Sequence, residues 1–569
     1  MKRNHLIATI FLLFISLGAW SQVDRGIELF LLEDFEQAKK AFEQSTSQSA
    51  DISYYYLGEI ALRNNKAAEA ASYFEKGIAA DPNAVLSRIG KTKLELKSSP
   101  NDLKKEIRAI TNKNKKRPEV FLAAAKAYLD NNMSSEVTDA LSGARKANKA
   151  YPYIYIFEGD LLKAKNQPGN AATQYEQAIN FDPKSTIAYI KNSMVYESIS
   201  PATAINTLKA GLEAVPNSLL IRRYLARSYY RNGIYDQAIA EYEKLKAGEV
   251  LEPEDERNYA ASLYFAGKYN EALAQLTELS AKDSNQLVIN RLLMYTQEKL
   301  KNWDAVIAAG EKLFSLPTNR DTVKYLVTDY TIYAEALMSK KQIDKAIEYY
   351  RKAIEMESEE GQSALSKEVA SRLANADRTP EAAEFYQKYI DLISSNEASD
   401  YLQLGIYYYR TAGALSTKIT ATEKKQADSS GNSMQSGAQP NLTAMKDSMA
   451  QYVSKADKAF AKVIEIAPDS YQGYYWKANA NTLLDPDLSK GLANQDYLKM
   501  IEVLETSNDK ENQSKLIEAY RYFSIYHLYR FDANKSASDK TQAKEYAEKV
   551  LQLKPDDDTS KKILEALNN

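Results

Sequence analysis

Few residues of this chain have the types and spacing that chemistry requires. Residues 90–92 read Gly-Lys-Thr, like the end of a phosphate-binding loop, but Val85 stands where that loop needs its first glycine. His527 has no nucleophile motif beside it, so we interpret it as an imidazole packed in a helix. The run Asp556–Asp558 lacks the glycine and distal glutamate of a calcium loop and is better placed to cap a helix. The sequence therefore predicts no catalytic site, no metal site and no cofactor.

A second set of reactive side chains points to binding. Arg223, Arg227 and Arg231 follow one another at intervals of four, so in a helix they share one face. Tyr230 lies beside them. Guanidinium groups next to an aromatic ring suit a partner carboxylate or an acidic extended peptide.

The composition favours helices and argues against nucleic acid. The chain has 569 residues, with 74 Lys and Arg against 76 Asp and Glu, a net charge of −2 and no cysteine. A nucleic-acid-binding domain is normally basic, and a chain without cysteine has neither disulfides nor thiolate chemistry. Hydrophobic residues make up 44%, enough to build a core.

The first 21 residues have the pattern of a signal peptide. Lys2 and Arg3 precede an apolar run at 6–19, and Ala19-Trp20-Ser21 offers a small-x-small cleavage site. The run is shorter than the roughly 20 residues of a membrane span, although an uncleaved anchor is an alternative. Without a cysteine the product is not a lipoprotein of the bacterial type. Because the leader is similar to those of Gram-negative, and particularly Bacteroidetes, exported proteins, we expect a soluble periplasmic protein.

The rest of the chain repeats one unit. The segments 233–238, 267–272 and 301–306 have related sequences and follow one another at steps of 34 residues. Each begins a helix with the pattern Ala-x3-aromatic or Leu-x2-Ala. Many units end on a proline, which cannot continue a helix; these are Pro82, Pro183, Pro216, Pro468 and Pro555.

These positions resemble the tetratricopeptide repeat, a helix–turn–helix of 34 residues. The second unit matches its pattern at Tyr54, Leu57, Gly58, Ala70, Phe74, Gly77 and Pro82. The resemblance covers nearly all of the chain after the leader. It implies an all-α fold, a right-handed superhelical solenoid of about 13–14 repeats with a concave groove.

The expected organisation has four parts. Residues 1–21 are the signal peptide, 22–416 an N-terminal array of repeats, and 449–569 the C-terminal repeats. Between the arrays, 417–448 interrupts a repeat with a segment rich in Ser, Lys, Gln, Asn and Gly. That composition predicts a flexible insertion.

The resemblance also implies which side chains line the groove. In the family the first helix of each repeat faces it, at the second, fifth, ninth, twelfth and thirteenth residues. Over 220–300 these positions select Arg223, Arg227, Tyr230, Arg231, Arg257, Tyr264, Phe265, Arg291, Tyr295 and Lys299. The alternative is that the arginines pair within the protein, with Glu241, Glu254 or Glu256.

The predicted function is a non-enzymatic scaffold or adaptor in the cell envelope that binds a protein or peptide, with an acidic or carboxylate-bearing segment as the favoured partner. The alternative is a glycan-binding accessory protein of the outer membrane, in which the adjacent Tyr475 and Trp476 would stack on a sugar.

Overall fold

A computed structural model describes residues 22–95, 97–248, 251–318, 324–394, 396–428, 438–507 and 512–568. Helices dominate these ranges, which contain no β-strand. The chain divides into two compact units, Met1–Asn302 (unit 1) and Trp303–Asn569 (unit 2). The prediction of an all-α fold of repeated helices is confirmed, whereas the predicted signal peptide lies outside the described residues.

Unit 1 consists of helices that follow one another in antiparallel pairs, and α1 spans 22–31. The later helices of unit 1 are α2 (Phe35–Ser45), α3 (Ala50–Arg63), α4 (Ala67–Ala80), α5 (Leu86–Glu95), α6 (Pro100–Lys113), α7 (Pro118–Asp130), α8 (Ser134–Ala147), α9 (Pro152–Ala164), α10 (Pro168–Phe181), α11 (Thr186–Tyr196), α12 (Pro201–Ala214), α13 (Leu219–Arg231), α14 (Tyr235–Ala247), α15 (Pro253–Phe265), α16 (Tyr269–Lys282) and α17 (Leu287–Lys299).

Unit 2 continues the same pattern with some longer helices. They are α18 (Trp303–Ser315), α19 (Val327–Ser339), α20 (Ile343–Met356), α21 (Glu359–Asn375), α22 (Thr379–Leu392), α23 (Ala398–Asp428), α24 (Ala438–Ile466), α25 (Tyr471–Thr482), α26 (Asn494–Ser507), α27 (Gln513–Asn534), α28 (Ala537–Leu553) and α29 (Asp558–Asn568). Among the helices described in the two units, none is both long and apolar enough to span a lipid bilayer.

Prolines end the second helix of several repeats, as the repeat pattern predicts. Each of these helices stops two residues before its proline, because a proline disfavours the helical conformation of the residue that precedes it. The helices are α4 before Pro82, α10 before Pro183, α12 before Pro216, α24 before Pro468 and α28 before Pro555.

The turn within a repeat requires one residue in the left-handed conformation. Asn65, Asn132 and Asn166 occupy it with φ of 60°, 59° and 57°, and Gly233 and Gly267 occupy it with φ of 72° and 77°. Asparagine and glycine tolerate this conformation better than other residues. The turn reverses the chain, so the two helices of a repeat pack against each other.

Small residues let neighbouring helices approach closely. Phe74 on α4 is fully buried, and its ring lies between Gly58 on α3 and Gly90 on α5. A Cβ atom at either glycine would lie 2.3 Å from Phe74 Cε1. One aromatic ring therefore joins three helices of two successive repeats, and this contact is possible only because both facing residues lack a side chain.

The predicted flexible insertion at 417–448 is helical wherever the structure describes it. α23 continues to Asp428 and α24 begins at Ala438, while 429–437 lies outside the described residues. Ile419 is buried, with 5% of its surface exposed, and Lys446 Nζ lies 2.7 Å from Glu423 Oε1. The described residues of this segment are therefore helical where polar composition suggested irregular chain, whereas the flexibility of the segment stays a prediction.

The division of the chain also differs from the predicted arrays, 22–416 and 449–569. Along the sequence, unit 1 ends at Asn302 and unit 2 begins at Trp303. Both α23 and α24 lie within unit 2. The 34-residue step of the sequence is irregular after this point: α18 ends at Ser315 and α19 begins only at Val327.

Candidate partner-binding groove

Two of the predicted groove arginines are buried in an ion-pair cluster. Arg223 and Arg227 on α13 expose 8% and 9% of their surface, and Asp255 on α15 is fully buried. Arg223 Nε donates a hydrogen bond to Asp255 Oδ2 at 2.8 Å, and Arg227 Nε donates one to Oδ1 at 2.7 Å. A single carboxylate of the next repeat therefore holds both guanidinium groups.

Two glutamates complete this cluster. Glu252 accepts from Arg223 Nη1 at 2.7 Å and from Arg227 Nη2 at 3.0 Å. Glu254 lies 3.1 Å from Arg227 Nη1. Burial alone would lower the pKa of Arg227, but the three carboxylates raise it above its usual value. Three negative charges thus face two positive charges, and a partner carboxylate would add a fourth.

The structure therefore favours the alternative in which the arginines pair within the protein. Arg227 binds Glu254, as that alternative proposed. The other two glutamates bind different cations: Glu241 pairs with Arg222 at 2.5 Å and Glu256 with Lys282 at 2.7 Å. Arg223 and Arg227 hold adjacent repeats together, and their role as ligands for an acidic peptide is withdrawn.

The other predicted residues lie on a surface that is partly open. Arg231 is exposed, whereas Arg257 and Arg291 are half-buried. Lys299 is also exposed, and its Nζ lies 2.9 Å from Glu298 Oε2.

Predicted aromatic residues contact one another along α13 to α17. The Tyr264 ring centroid lies 5.2 Å from that of Phe265 and 6.4 Å from that of Tyr295. Phe265, with 52% of its surface exposed, also stacks on Tyr235 with a centroid distance of 5.1 Å. Tyr235 in turn lies 6.3 Å from Tyr230. The structure thus brings the predicted aromatic residues together, with Tyr235 as a link that the prediction did not include.

A cavity of unit 1 lies elsewhere, among its first repeats. It has a volume of about 600 Å³ and is lined mainly by α1, α3, α7 and α9. The register that selected Arg223 also selects lining residues here, although the prediction applied it only to 220–300. On α3, α7 and α9 the lining residues at register positions include Tyr55, Glu59, Arg63, Glu119, Leu122, Lys126, Leu129, Tyr153, Ile156, Asp160, Lys163 and Ala164.

The end of α1 closes this cavity. Leu29 belongs to the core of the first two repeats, with Phe42 and Leu57. The residues at the end of α1 contact a part of the chain that is distant in sequence. Leu31 and Leu32 pack against the core cluster around Ile154 and Ile187. Leu32 also packs against the cluster that contains Tyr189, Ile190 and Ile221. Unit 1 therefore curls until the end of its first helix packs against core clusters built from much later repeats.

Two charged residues that line this cavity, Glu59 and Lys126, belong to an ion-pair network with Lys93 and Asp130 behind its wall. Glu59 and Lys93 are buried, and their Oε1 and Nζ atoms lie 2.5 Å apart. Lys93 Nζ also lies 3.0 Å from Asp130 Oδ2, and Lys126 pairs with both Asp130 and Glu59. Burial acts to raise the pKa of Asp130, but the two lysines hold it below its usual value. Two cations and two carboxylates form a network with no net charge.

Three tyrosine hydroxyls of the cavity have no hydrogen-bond partner among the described residues. They belong to Tyr56 on α3, Tyr151 beside α9, and Tyr153 on α9, and all three rings line the cavity. Burial raises the pKa of each phenol above its usual value. The hydroxyls therefore stay neutral and can both donate and accept hydrogen bonds.

Comparison with known proteins identifies the repeat. Family models described as tetratricopeptide repeat match residues 23–85, 200–249 and 330–360. The chain contains tetratricopeptide repeats. A curated relative, the signal recognition particle subunit SRP72 of Dictyostelium discoideum, is 32% identical over 78 residues. That match covers 14% of this chain, and the chain spans only 11% of the length of the relative.

Solved structures of tetratricopeptide repeat proteins are also similar to the chain. The C-terminal part of one from Cytophaga hutchinsonii is 25% identical, with a TM-score of 0.31, and the match covers 54% of this chain and 99% of the other. One from Parabacteroides merdae is 15% identical, with a TM-score of 0.30 and coverages of 42% and 93%. YrrB, described as a TPR protein with an unusual peptide-binding site, is 19% identical, with a TM-score of 0.30 and coverages of 36% and 98%.

The aromatic pair considered for sugar binding is packed within its tetratricopeptide repeats. Tyr475 and Trp476 are half-buried. The Trp476 ring stacks on Phe460 with a centroid distance of 6.4 Å, and Lys515 Nζ lies 4.0 Å from the centroid of the Tyr475 ring. Each of the two rings therefore already has a neighbouring side chain stacked against it.

His527 is packed in the last tetratricopeptide repeats, as the sequence predicts. Its Nδ1 lies 2.8 Å from Asp539 Oδ1. The imidazole is parallel to the Tyr546 ring within 2°, with a centroid distance of 6.1 Å. Arg530 Nε also donates to Asp539 Oδ1 at 3.2 Å. These contacts give His527 a structural role at the junction of α27 and α28.

The carboxyl group of Glu28 on α1 should make the stability of unit 1 depend on pH. Burial, and then the neighbouring Asp24, raise the pKa of Glu28 from 4.5 to about 7, with Arg25 opposing. The folded protein therefore binds this proton more tightly than the unfolded chain. The stabilisation is complete below about pH 4.5 and is lost as the pH rises through about 7.

Replacing Glu28 with glutamine tests this effect. We expect Glu28→Gln to be more stable than the unchanged protein at pH 8, by at most about 2 kcal/mol after allowing for solvent screening. The difference should shrink at pH 5. Thermal denaturation of both proteins at the two pH values measures it, and identical pH profiles would contradict the predicted pKa.

Proposed function

We propose that this tetratricopeptide repeat protein is an exported scaffold of the cell envelope that holds a segment of a partner protein in the cavity of unit 1. Chains built from these repeats are protein-interaction scaffolds, and the proposal adds the compartment and the place of binding. The observation that carries it is the cavity itself, about 600 Å³ in volume and lined by the groove-facing side of successive first helices. That volume lies in the range of ligand-binding pockets.

The compartment is proposed from the leader. Residues 1–21 combine a basic start, an apolar run and a small-x-small junction. Export to the periplasm of a Gram-negative cell predicts a mature chain that begins at Gln22. N-terminal sequencing of protein released by osmotic shock tests this, and a chain that keeps Met1 in the membrane fraction would contradict it.

The proposed role is non-enzymatic. Helices of the repeat pattern occupy nearly all of the described residues, so they leave no separate segment for a catalytic domain. Glu59, which lines the cavity, is paired with the buried Lys93. The proposed function is therefore to bind and present a partner.

Photocrosslinking from two cavity positions tests the site. Leu129 and Met194 line the cavity and expose 38% and 39% of their surface, so a benzoylphenylalanine at either position should reach a bound segment without disturbing the core. Ala210, exposed on α12, is the control. We expect one partner to crosslink at both cavity positions and not at Ala210.

A cavity-filling variant sharpens the same experiment. Tryptophan at Leu129 together with tryptophan at Met194 should reduce capture of this partner at least roughly tenfold, because the rings occupy the volume that the segment needs. The Ala210→Trp protein should keep full capture. Equal capture by both variants, or crosslinking only at Ala210, would remove the cavity as the binding site.

A further inference from the structure

We infer that the cavity of unit 1 takes a short, uncharged peptide segment with aromatic and aliphatic side chains, whose backbone amides hydrogen-bond to the hydroxyls of Tyr56, Tyr151 and Tyr153. This inference rests on the proposed function and names its ligand class. It replaces the acidic partner that the arginines of α13 suggested.

Two carboxylates that line the cavity are already paired with lysines. Glu59 is held by Lys93 at 2.5 Å and Lys126 at 3.9 Å, and Lys191 Nζ lies 2.7 Å from Asp160 Oδ1. A charged ligand would leave water without finding an unpaired opposite charge at this depth. Transferring an unpaired charge out of water is costly, so these pairs discriminate against acidic and basic segments alike.

The remaining charges stand at the mouth of the cavity or pair outside it. Glu33, Arg63 and Lys163 line the cavity but are exposed to water. Glu119 accepts a hydrogen bond from Arg117 Nε at 2.7 Å. Exposed pairs contribute little to affinity because water and salt screen them. A charged side chain on a bound segment would therefore gain little affinity from them.

The surface between these charges is apolar. Phe30 and Leu31 on α1 face Leu122 on α7 and Phe157 on α9 across the same cavity. Burying aromatic and aliphatic side chains there removes apolar area from water, which is the main source of affinity in pockets of this kind. A ligand of matching chemistry presents apolar side chains.

The three tyrosine hydroxyls indicate that the ligand also has a peptide backbone. Each is neutral and has no hydrogen-bond partner within the described part of the chain. A buried peptide group needs partners for its N–H and C=O, and a neutral hydroxyl can serve either of them. A purely hydrocarbon ligand would leave all three hydroxyls unpaired at a cost.

The closure of unit 1 limits the length of the segment. Leu31 and Leu32 contact the clusters around Ile187 and Ile190, which blocks the groove on that side. A helix with its side chains is about 10–12 Å across and could not continue through this contact. The occupant is therefore a short segment or a chain end, not a long helix running along the groove.

Selection from a random heptapeptide library on the purified full-length protein tests the inference. Counter-selection on the protein with tryptophan at Leu129 and Met194 removes peptides that bind elsewhere. We expect enrichment of uncharged sequences with aromatic and aliphatic residues. The affinity of a selected peptide should change less than about twofold between 50 and 500 mM salt, since no ion pair forms with the ligand.

The hydroxyls are tested with the same peptide. Changing Tyr56, Tyr151 and Tyr153 together to phenylalanine keeps the rings and should weaken binding roughly tenfold or more. Tyr529→Phe, half exposed on α27, is the matched control. Should the triple variant not fold, the single variants Tyr56→Phe, Tyr151→Phe and Tyr153→Phe replace it: each should weaken binding of the peptide, and unchanged binding by all three would overturn the role of the hydroxyls.

The outcomes separate this inference from the function on which it rests. Peptides that depend on the cavity but are enriched in acidic or basic residues, or that bind the triple variant unchanged, would overturn the ligand class and leave the proposed function intact. A selection with no peptides that depend on the cavity would overturn both.

Discussion

Replacing Asp255 with alanine is expected to lower the free energy of unfolding by about 3–5 kcal/mol. Asp255 is fully buried and accepts hydrogen bonds from Arg223 and Arg227. It also accepts one at 3.2 Å from the backbone N–H of Glu252, at the start of α15. Without this carboxylate, two buried guanidinium groups lose the acceptor that they share, and the helix loses a cap.

A control for this substitution lies one helix earlier. Asp236 is in the first turn of α14, as Asp255 is in that of α15. However, 77% of the Asp236 side chain is exposed, and its carboxylate lies 3.4 Å from Lys268 Nζ. We expect Asp236→Ala to change stability by less than about 0.5 kcal/mol. Urea denaturation of both variants measures the difference, and equal effects would show that the cluster is not essential.

The same cluster distinguishes two arginines that the sequence treats alike. Arg227→Glu should destabilise the protein, because it places a fourth carboxylate among Glu252, Glu254 and Asp255. Arg231→Glu, on the same helix but exposed, should leave stability nearly unchanged. A binding defect in the first variant alone would therefore report loss of folding and not loss of a partner contact.

The Gly58→Ala protein is expected to be destabilised by about 1–3 kcal/mol or more. Its new Cβ would lie 2.3 Å from Phe74 Cε1, and the backbone of Gly90 packs so close to the same ring that a Cβ atom there would also lie 2.3 Å from Cε1. The ring cannot move away from one helix without approaching the other. Because the clash involves a fully buried aromatic side chain, the helices themselves must separate.

Two further variants make this prediction specific. Gly169 lies on α10, and a Cβ atom there has nothing within 4 Å. Gly169→Ala should be neutral, or stabilising by up to about 1 kcal/mol, since alanine favours helix more than glycine. The second variant combines Gly58→Ala with Phe74→Leu and should recover part of the loss. Thermal denaturation of the Gly58→Ala, Gly169→Ala and double-variant proteins measures their stabilities. An equal loss of stability in Gly58→Ala and Gly169→Ala would refute the packing argument.

Local patterns could predict the repeat because each repeat is built from contacts within about 34 residues. The alternation of small and aromatic residues at positions such as Gly58 and Phe74 indicated which helices pack together. Pro82 and Pro183 indicated where helices end. Each of these signals acts through the backbone or through the nearest helix, so one repeat can be interpreted without knowledge of the others.

Composition was a poor guide at 417–448. Its polar residues suggested a chain that could not bury enough apolar surface. In the structure, the described residues of this segment belong to α23 and α24, and Ile419 is buried. Whether a few apolar residues suffice depends on a second segment that lies opposite them, and composition does not report this.

The sequence alone thus determined the repeated hairpin and the ends of its helices. Tertiary structure alone decided which groove side chains remain available. Arg223 and Arg227 meet a carboxylate 32 and 28 residues further along the chain, and Leu32 packs against residues more than 150 positions away. Charge neutralisation and cavity closure depend on distances between side chains that only the curvature of stacked repeats sets, and no pattern within one repeat encodes that curvature.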